Sequence, residues 1–174
     1  NIFFGTTSLS DANKGKIHES FAFNPKWSYD WRQYVVIDNS NFQNAINLWF
    51  FNQADANKTY GHISNWNVSL VTDMRQAFQN RHNFNEDISG WETSLVTSTY
   101  EMFERANSFN HSISDWNVSA VTNMIKMFNH TPSLSNINKG KIHQSFYSNS
   151  NWPYDWREFV ALDDSNFHDA INLW

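Results

Sequence analysis

The chain has no cysteine in its 174 residues. That removes disulfide bonds, thiolate metal sites and cysteine nucleophiles together. Charge is sparse as well, at 17% of residues, and its balance is acidic, with 12 Lys and Arg against 17 Asp and Glu. Nucleic-acid binding needs a basic stripe to meet the phosphates, so a formal charge of −5 argues against such a partner. No apolar run approaches the roughly 20 residues needed to span a bilayer, so this segment carries no membrane span. Glycine-rich phosphate loops, HExxH and GxSxG are also missing. The sequence therefore nominates no catalytic residue, no metal ligand set and no cofactor.

What the chain does have is aromatic. Phe, Trp and Tyr make up 17% of it, including nine Trp, which is ample material for a packed core. These residues recur on two length scales. Residues 8–49 return at 133–174 with a fixed offset of 125 and match at 27 of 42 positions. Asn13-Lys14-Gly15-Lys16-Ile17-His18 returns as Asn138-Lys139-Gly140-Lys141-Ile142-His143. Between the two copies runs a period of 25, marked by Trp66, Trp91 and Trp116. Arrays of this kind usually make surfaces rather than enclosed active sites.

Each 25-residue unit has two halves. In the first, Val71, Met74 and Phe78 are spaced i, i+3, i+7, the apolar stripe of a short helix. Ser69 or Thr72 is placed to cap it, as are Ser94 or Thr97 and Ser119 or Thr122 in the next units. In the second, Asp87 to Thr93 is too short for a helix and reads as a turn with a brief strand. Stacking would align Trp66, Trp91 and Trp116 in one column, Phe84 and Phe109 in another, and Ile63, Ile88 and Ile113 in a third. Asn85 and Asn110, each just after a core Phe, are placed to satisfy loop backbone groups from one unit to the next. Nearly all of these repeated residues read as structural core. A degenerate earlier unit puts Ile46 in the phase of Val71 and Trp49 in that of Met74.

The pattern S-x-V-T-x-M-x-x-M-F-x-x-A-x-x-F-N-x-x-I-S-x-W over residues 63–135 resembles the 25-residue repeat of BspA-like leucine-rich-repeat surface proteins, also described from mycoplasma lipoproteins. It is clearest from Val96 to Trp116 and from Asn117 to Phe128. Departures are Ala77 and Thr99 in place of Met, and Glu92-Thr93 in place of Asn-Val. The resemblance implies an α/β, leucine-rich-repeat-like solenoid, outside the cell or on its surface, acting in adhesion or binding. It carries over no catalytic residue.

The organisation expected from these repeats begins with the end of a preceding repeat at 1–7. A helical and aromatic spacer follows at 8–40, then a degenerate capping repeat at 41–66 and solenoid repeats at 67–132. A second spacer occupies 133–165, and 166–174 opens the next capping repeat. Ser10 or Asp11 is placed to cap a short helix running to Phe21. The chain lacks an initiator Met, a signal peptide and a sorting motif, and both ends fall inside repeat units, which suggests a window onto a longer protein.

Candidate site residues are few. Trp27, Tyr29 and Trp31, with their copies Trp152, Tyr154 and Trp156, form aromatic turns. They suit a carbohydrate platform, since sugars stack on aromatic faces, but residue distributions favour packing between blocks. His18 and His143 are one position seen twice and read as structural. Glu86-Asp87 and Asp163-Asp164 are adjacent loop acids without a calcium-loop motif, so solvation is their ordinary role. Sequons occur at Asn57, Asn67, Asn110, Asn117 and Asn129, as chance provides in an Asn-rich chain. The expected function is a non-enzymatic surface adhesin or binding scaffold whose partner is a protein or glycan. The alternative is a structural element of a filament, with copies of itself as partners.

Overall fold

The protein is described by a computed structural model covering Phe3 and residues 8–161. Sequence expectations for 1–2, 4–7 and 162–174, including the Asp163-Asp164 pair and the repeat at 166–174, lie outside the described residues. The spacer opens with α1 (Asp11–Phe21), where of the two candidate caps it is the Ser10 side chain that accepts from the Asn13 N–H. A second copy, α4 (Asn136–Phe146), is capped in the same way by Ser135 and Asn138. Each helix packs on a single 3₁₀ turn, Arg32–Tyr34 or Arg157–Phe159. The contact passes through Gly15 and Gly140. A Cβ there would lie 2.1 Å from the Tyr34 or Phe159 carbonyl oxygen, so only glycine permits the approach.

Two further helices follow the first spacer. In α2 (Phe42–Phe51) the buried residues are Phe42, Ala45, Ile46 and Trp49, spaced i, i+3, i+4, i+7 along one face. That face meets the first unit, with Phe50 5.8 Å from Phe84 and Phe42 6.0 Å from Trp91 between ring centroids. Next, α3 (Gln53–Tyr60) starts at Asn52, which accepts from the Asp55 N–H, and stops at Gly61 with φ 79°. The degenerate unit centred on Ile46 and Trp49 is thus helical, unlike the units after it.

The expected leucine-rich-repeat-like α/β solenoid is not what the chain forms. Regular secondary structure among the described residues is helical, and strand pairing is confined to three isolated parallel bridges, Asp38 with Leu70, Asp73 with Ser98 and Ser98 with Asn123. There is no sheet among the described residues. Nor do the stripes Val71-Met74-Phe78 and their copies form helices; residues 75–80 are turns. The segment from Asp87 to Thr93 contains a turn but no strand.

Backbone hydrogen bonding explains the difference. In a helix each N–H would find the carbonyl four residues earlier. Here alternate N–H groups reach the following unit instead. Met74, Gln76, Phe78 and Asn80 donate to the carbonyls of Ser98, Tyr100, Met102 and Glu104, all at 2.9 Å. Thr99, Glu101, Phe103 and Arg105 repeat the series onto Asn123, Ile125, Met127 and Asn129. The chain turns by placing every second donor of the series in left-handed backbone: Gln76, Asn80, Glu101 and Arg105, like Lys126 and His130 in the next unit, have φ from 52° to 60°. Left-handed residues at every fourth position interrupt any helix. The serines and threonines proposed as caps do other work: Thr97 and Thr122 hydroxyls donate to the Thr72 and Thr97 carbonyls at 3.0 and 3.1 Å.

The core consists of the aromatic and aliphatic columns. Trp66, Trp91 and Trp116 lie with rings nearly parallel and centroids 6.4 and 6.3 Å apart. Phe84 and Phe109 are parallel within 3° at 6.0 Å, and Phe78, Phe103 and Phe128 form a further column at 5.3 and 5.4 Å. Ile63, Ile88 and Ile113 are fully buried beside them. Two of the indoles also donate across units, from Trp91 to the Ile63 carbonyl at 2.9 Å and from Trp116 to that of Ile88 at 3.0 Å, while Trp66 donates to the nearby Gly61 carbonyl.

Candidate functional site

The aromatic turns sit where a spacer closes a stack of units. Trp152, Tyr154 and Trp156 surround the Phe128 ring at 6.3, 6.0 and 5.5 Å, and all three are half-buried. Trp27, Tyr29 and Trp31 surround Phe3 in the same manner at 6.1, 5.7 and 5.3 Å. Phe3 and Phe128 are 125 residues apart, so the junction is built twice from one design. The tyrosine completes it. Phe128 donates its backbone N–H to the Tyr154 hydroxyl at 2.8 Å, taking the place of the carbonyl that serves Phe78 and Phe103 in the units before. Burial pushes the Tyr154 hydroxyl up to about 12, so it stays protonated and neutral.

The recurring histidine belongs to this junction. The indole N–H of Trp152 donates to Nδ1 of His143 at 2.9 Å, and that of Trp27 to Nδ1 of His18 at 3.1 Å. With Nδ1 accepting, the proton sits on Nε2, and His18 Nε2 donates to the Lys58 carbonyl at 2.9 Å. Burial lowers the pKa of His143, in keeping with a neutral ring. These contacts orient tryptophans and join the spacer to α3. Beside them, Asp30 and Asp155 are each held at about 2, first by the side-chain hydrogen bond from Arg32 or Arg157.

Polar columns run along the stack. The Asn85 side chain accepts from the Asn110 N–H at 2.8 Å, and Asn110 accepts from Ser135 N–H at 2.9 Å, so these asparagines do link unit to unit. Glu101 is buried between Gln76 on one side and Lys126 on the other, at 2.9 and 3.3 Å. Its carboxyl is held at about 2 by hydrogen bonds from the Tyr100 hydroxyl first, then Gln76 and Lys126. Glu104 is bound in the same way by Gln79 and Asn129. The loop acids are ordinary. Asp87 accepts from the Ser89 N–H two residues on, and Glu86 lies 3.6 Å from His62. Among the described residues no group of three or more His, Asp or Glu is arranged to hold a metal.

One open groove of about 670 Å³ borders the junction. Its walls include Phe128, Tyr154 and Trp156, together with Arg105, Lys139, His82 and His130, and among the described residues no Asp or Glu. The sequence had marked Tyr154 and Trp156 but not the cations. A signal for one of them was present: Asp11, which pairs with Lys14 at 2.8 Å in the first copy, is Asn136 in the second.

Turn-built units stacked by parallel aromatic columns, and closed by helical spacers, define this molecule as a tandem-repeat protein with a non-helical repeat. A family model described as "Mycoplasma protein of unknown function, DUF285" matches residues 44–152, more than half of the chain. The chain belongs to that family. No curated protein and no solved structure shows significant similarity to it.

Proposed function

We propose that the protein is a non-enzymatic repeat scaffold of the BspA-like kind, acting outside the cell or on its surface to bind a protein or glycan. The observation that supports this reading is how the recurring polar side chains are used. Asn85, Asn110, Glu101 and Glu104 fasten unit to unit, His18 ties its spacer to α3, and His143 orients Trp152 within its own spacer. The cavity lined by Phe128, Tyr154 and Trp156 is an open groove rather than a cleft with paired acid and base. Among the described residues no helix is long and apolar enough to cross a membrane.

A second reading, a structural segment of a filament, is favoured by one specific relationship. The Phe3 junction and the Phe128 junction share the same partners at an offset of 125, so the block adds to itself with one repeated contact. A contact of this head-to-tail type generates rods when it does not close. Electron microscopy of the native full-length protein separates the two. Dispersed particles that attach to cells or matrix support the scaffold. Regular filaments with an axial repeat set by the block support the structural role, and soluble particles that attach to nothing overturn both.

A further inference from the structure

We propose that the groove at the Phe128 junction binds an acidic polysaccharide, seating a uronic acid ring against Trp156 with its carboxylate on Arg105 and Lys139. The proposal deepens the binding-scaffold reading and rests on it. The groove volume, about 670 Å³, falls in the range of ligand sites, and its open side admits a polymer passing through.

Charge is the first argument. The chain as a whole carries −5, yet among the described residues the groove walls hold Arg105 and Lys139 with no carboxylate. Neither Arg105 nor Lys139 has an ion pair among the described residues. Lys139 is freed by a difference between the two copies. Lys14 is neutralised by Asp11, whereas the matching Asn136 leaves Lys139 without a carboxylate partner among the described residues, and its Nζ is held 5.4 Å from the Phe159 ring centroid. Unpaired cations lining one groove attract an anion, and a guanidinium matches a carboxylate in a two-pronged fashion.

Shape is the second. Tyr154 and Trp156 are stacked at 4.7 Å with their planes 27° apart, and Phe128 backs Trp156 at 5.5 Å. The Tyr154 hydroxyl is already engaged by the Phe128 N–H, so its ring contributes apolar surface to the groove. The C–H face of a pyranose is electropositive and meets the negative face of an aromatic ring. A simple anion would leave the rings unused, and a neutral sugar would leave the cations unused. A uronic acid uses both.

The test is calorimetric titration of the full-length protein with an oligogalacturonide, with its methyl ester, and with single-stranded DNA of similar charge. The acid form is expected to bind at least about tenfold more tightly than the ester. Arg105→Ala and Lys139→Ala should each weaken the acid form about tenfold, as loss of a charge-assisted contact does. Asn136→Asp restores the pair seen in the first copy and should weaken binding with no fall in melting temperature. That variant keeps the test decisive if a neighbour disturbs folding. Equal binding of acid and ester, equal binding of DNA, or indifference to all three substitutions overturns the groove assignment. If the oligogalacturonide does not bind but the protein still attaches to cells, the groove fails and the scaffold stands. If neither occurs, both fail.

Discussion

The backbone N–H of Phe128 donates to the phenolic oxygen of Tyr154 at 2.8 Å, and Phe3 does the same to Tyr29 at 3.2 Å. A side-chain hydroxyl thus ends a ladder that backbone carbonyls sustain in the preceding units. The end of a ladder exposes donors that need partners, and burial makes an unmet donor costly. The aromatic spacer is accordingly a chemical terminator of the stack as well as a packing element. Tyr154→Phe keeps the ring and removes the acceptor. It should cost about 1–3 kcal/mol, the range for leaving a buried donor unsatisfied. Urea unfolding followed by tryptophan fluorescence reads the change, and an unaltered midpoint would show that solvent replaces the hydroxyl.

Trp91 is the centre of the tryptophan column, 3% exposed, with neighbours on both sides and an indole N–H bound to Ile63. Trp91→Ala should cost about 3–5 kcal/mol through lost burial and the cavity left behind. An unchanged melting curve would rule out the column as a source of stability. Trp91→Phe retains much of the packing and should cost less, the remainder reporting the loss of the indole hydrogen bond.

These columns were legible because identity at a period of 25 needs no knowledge of the backbone. The capped start of α1, narrowed to Ser10 or Asp11, and the asparagine links were legible for a related reason: each is a polar residue with a local or one-period partner. The conformation between the columns was not. Val71, Met74 and Phe78 have the spacing of a helix, and nothing local says that the donors of Met74 and Phe78 will find Ser98 and Met102 instead. Left-handed backbone is ordinarily announced by Gly or Asn, but Gln76, Glu101 and Lys126 adopt it without either. In the sequence the spacer aromatics show only as a cluster of rings, and nothing local marks the Tyr154 hydroxyl as the acceptor for Phe128. The groove brings together Arg105, Lys139 and Trp156, residues whose meeting depends on the stack already being formed.

Gly140 lies where a methyl group would meet the Phe159 carbonyl oxygen at 2.1 Å, and the opposing atom is backbone rather than a side-chain tip. Alanine ordinarily favours a helix over glycine by about 1 kcal/mol. Here the clash must dominate, because α4 and the 157–159 turn have to separate to admit the methyl. Gly140→Ala should therefore destabilise, by about 1–3 kcal/mol for overpacking of this kind. Hydrogen exchange should rise selectively in α4 and at Phe159 and Val160. Gly15→Ala should do the same to α1 at Tyr34 and Val35. A gain in stability at either position would mean that the helix moves aside freely.

Among the described residues three carboxyls are held at about 2 in the folded protein: Asp30 and Asp155 by arginine two residues on, and Glu101 by Tyr100, Gln76 and Lys126. Their ordinary values are 3.8 for Asp and 4.5 for Glu. A folded pKa below the unfolded one means that the unfolded chain binds more protons on the way down. The stabilisation is therefore complete above the unfolded values and is lost as pH falls from about 4.5 toward 2. His143 adds an earlier loss, since burial lowers its pKa below 6.5 and unfolding lets it take a proton as acid is added. Asp30 and Asp155 are exposed pairs and should contribute little. Glu101 lies inside the stack, so its share should be the larger. Glu101→Gln should flatten the fall in melting temperature below pH 4.5 while lowering the value at pH 7, where the carboxylate holds its partners best. A slope identical to that of the unaltered protein would remove Glu101 from the account of acid stability.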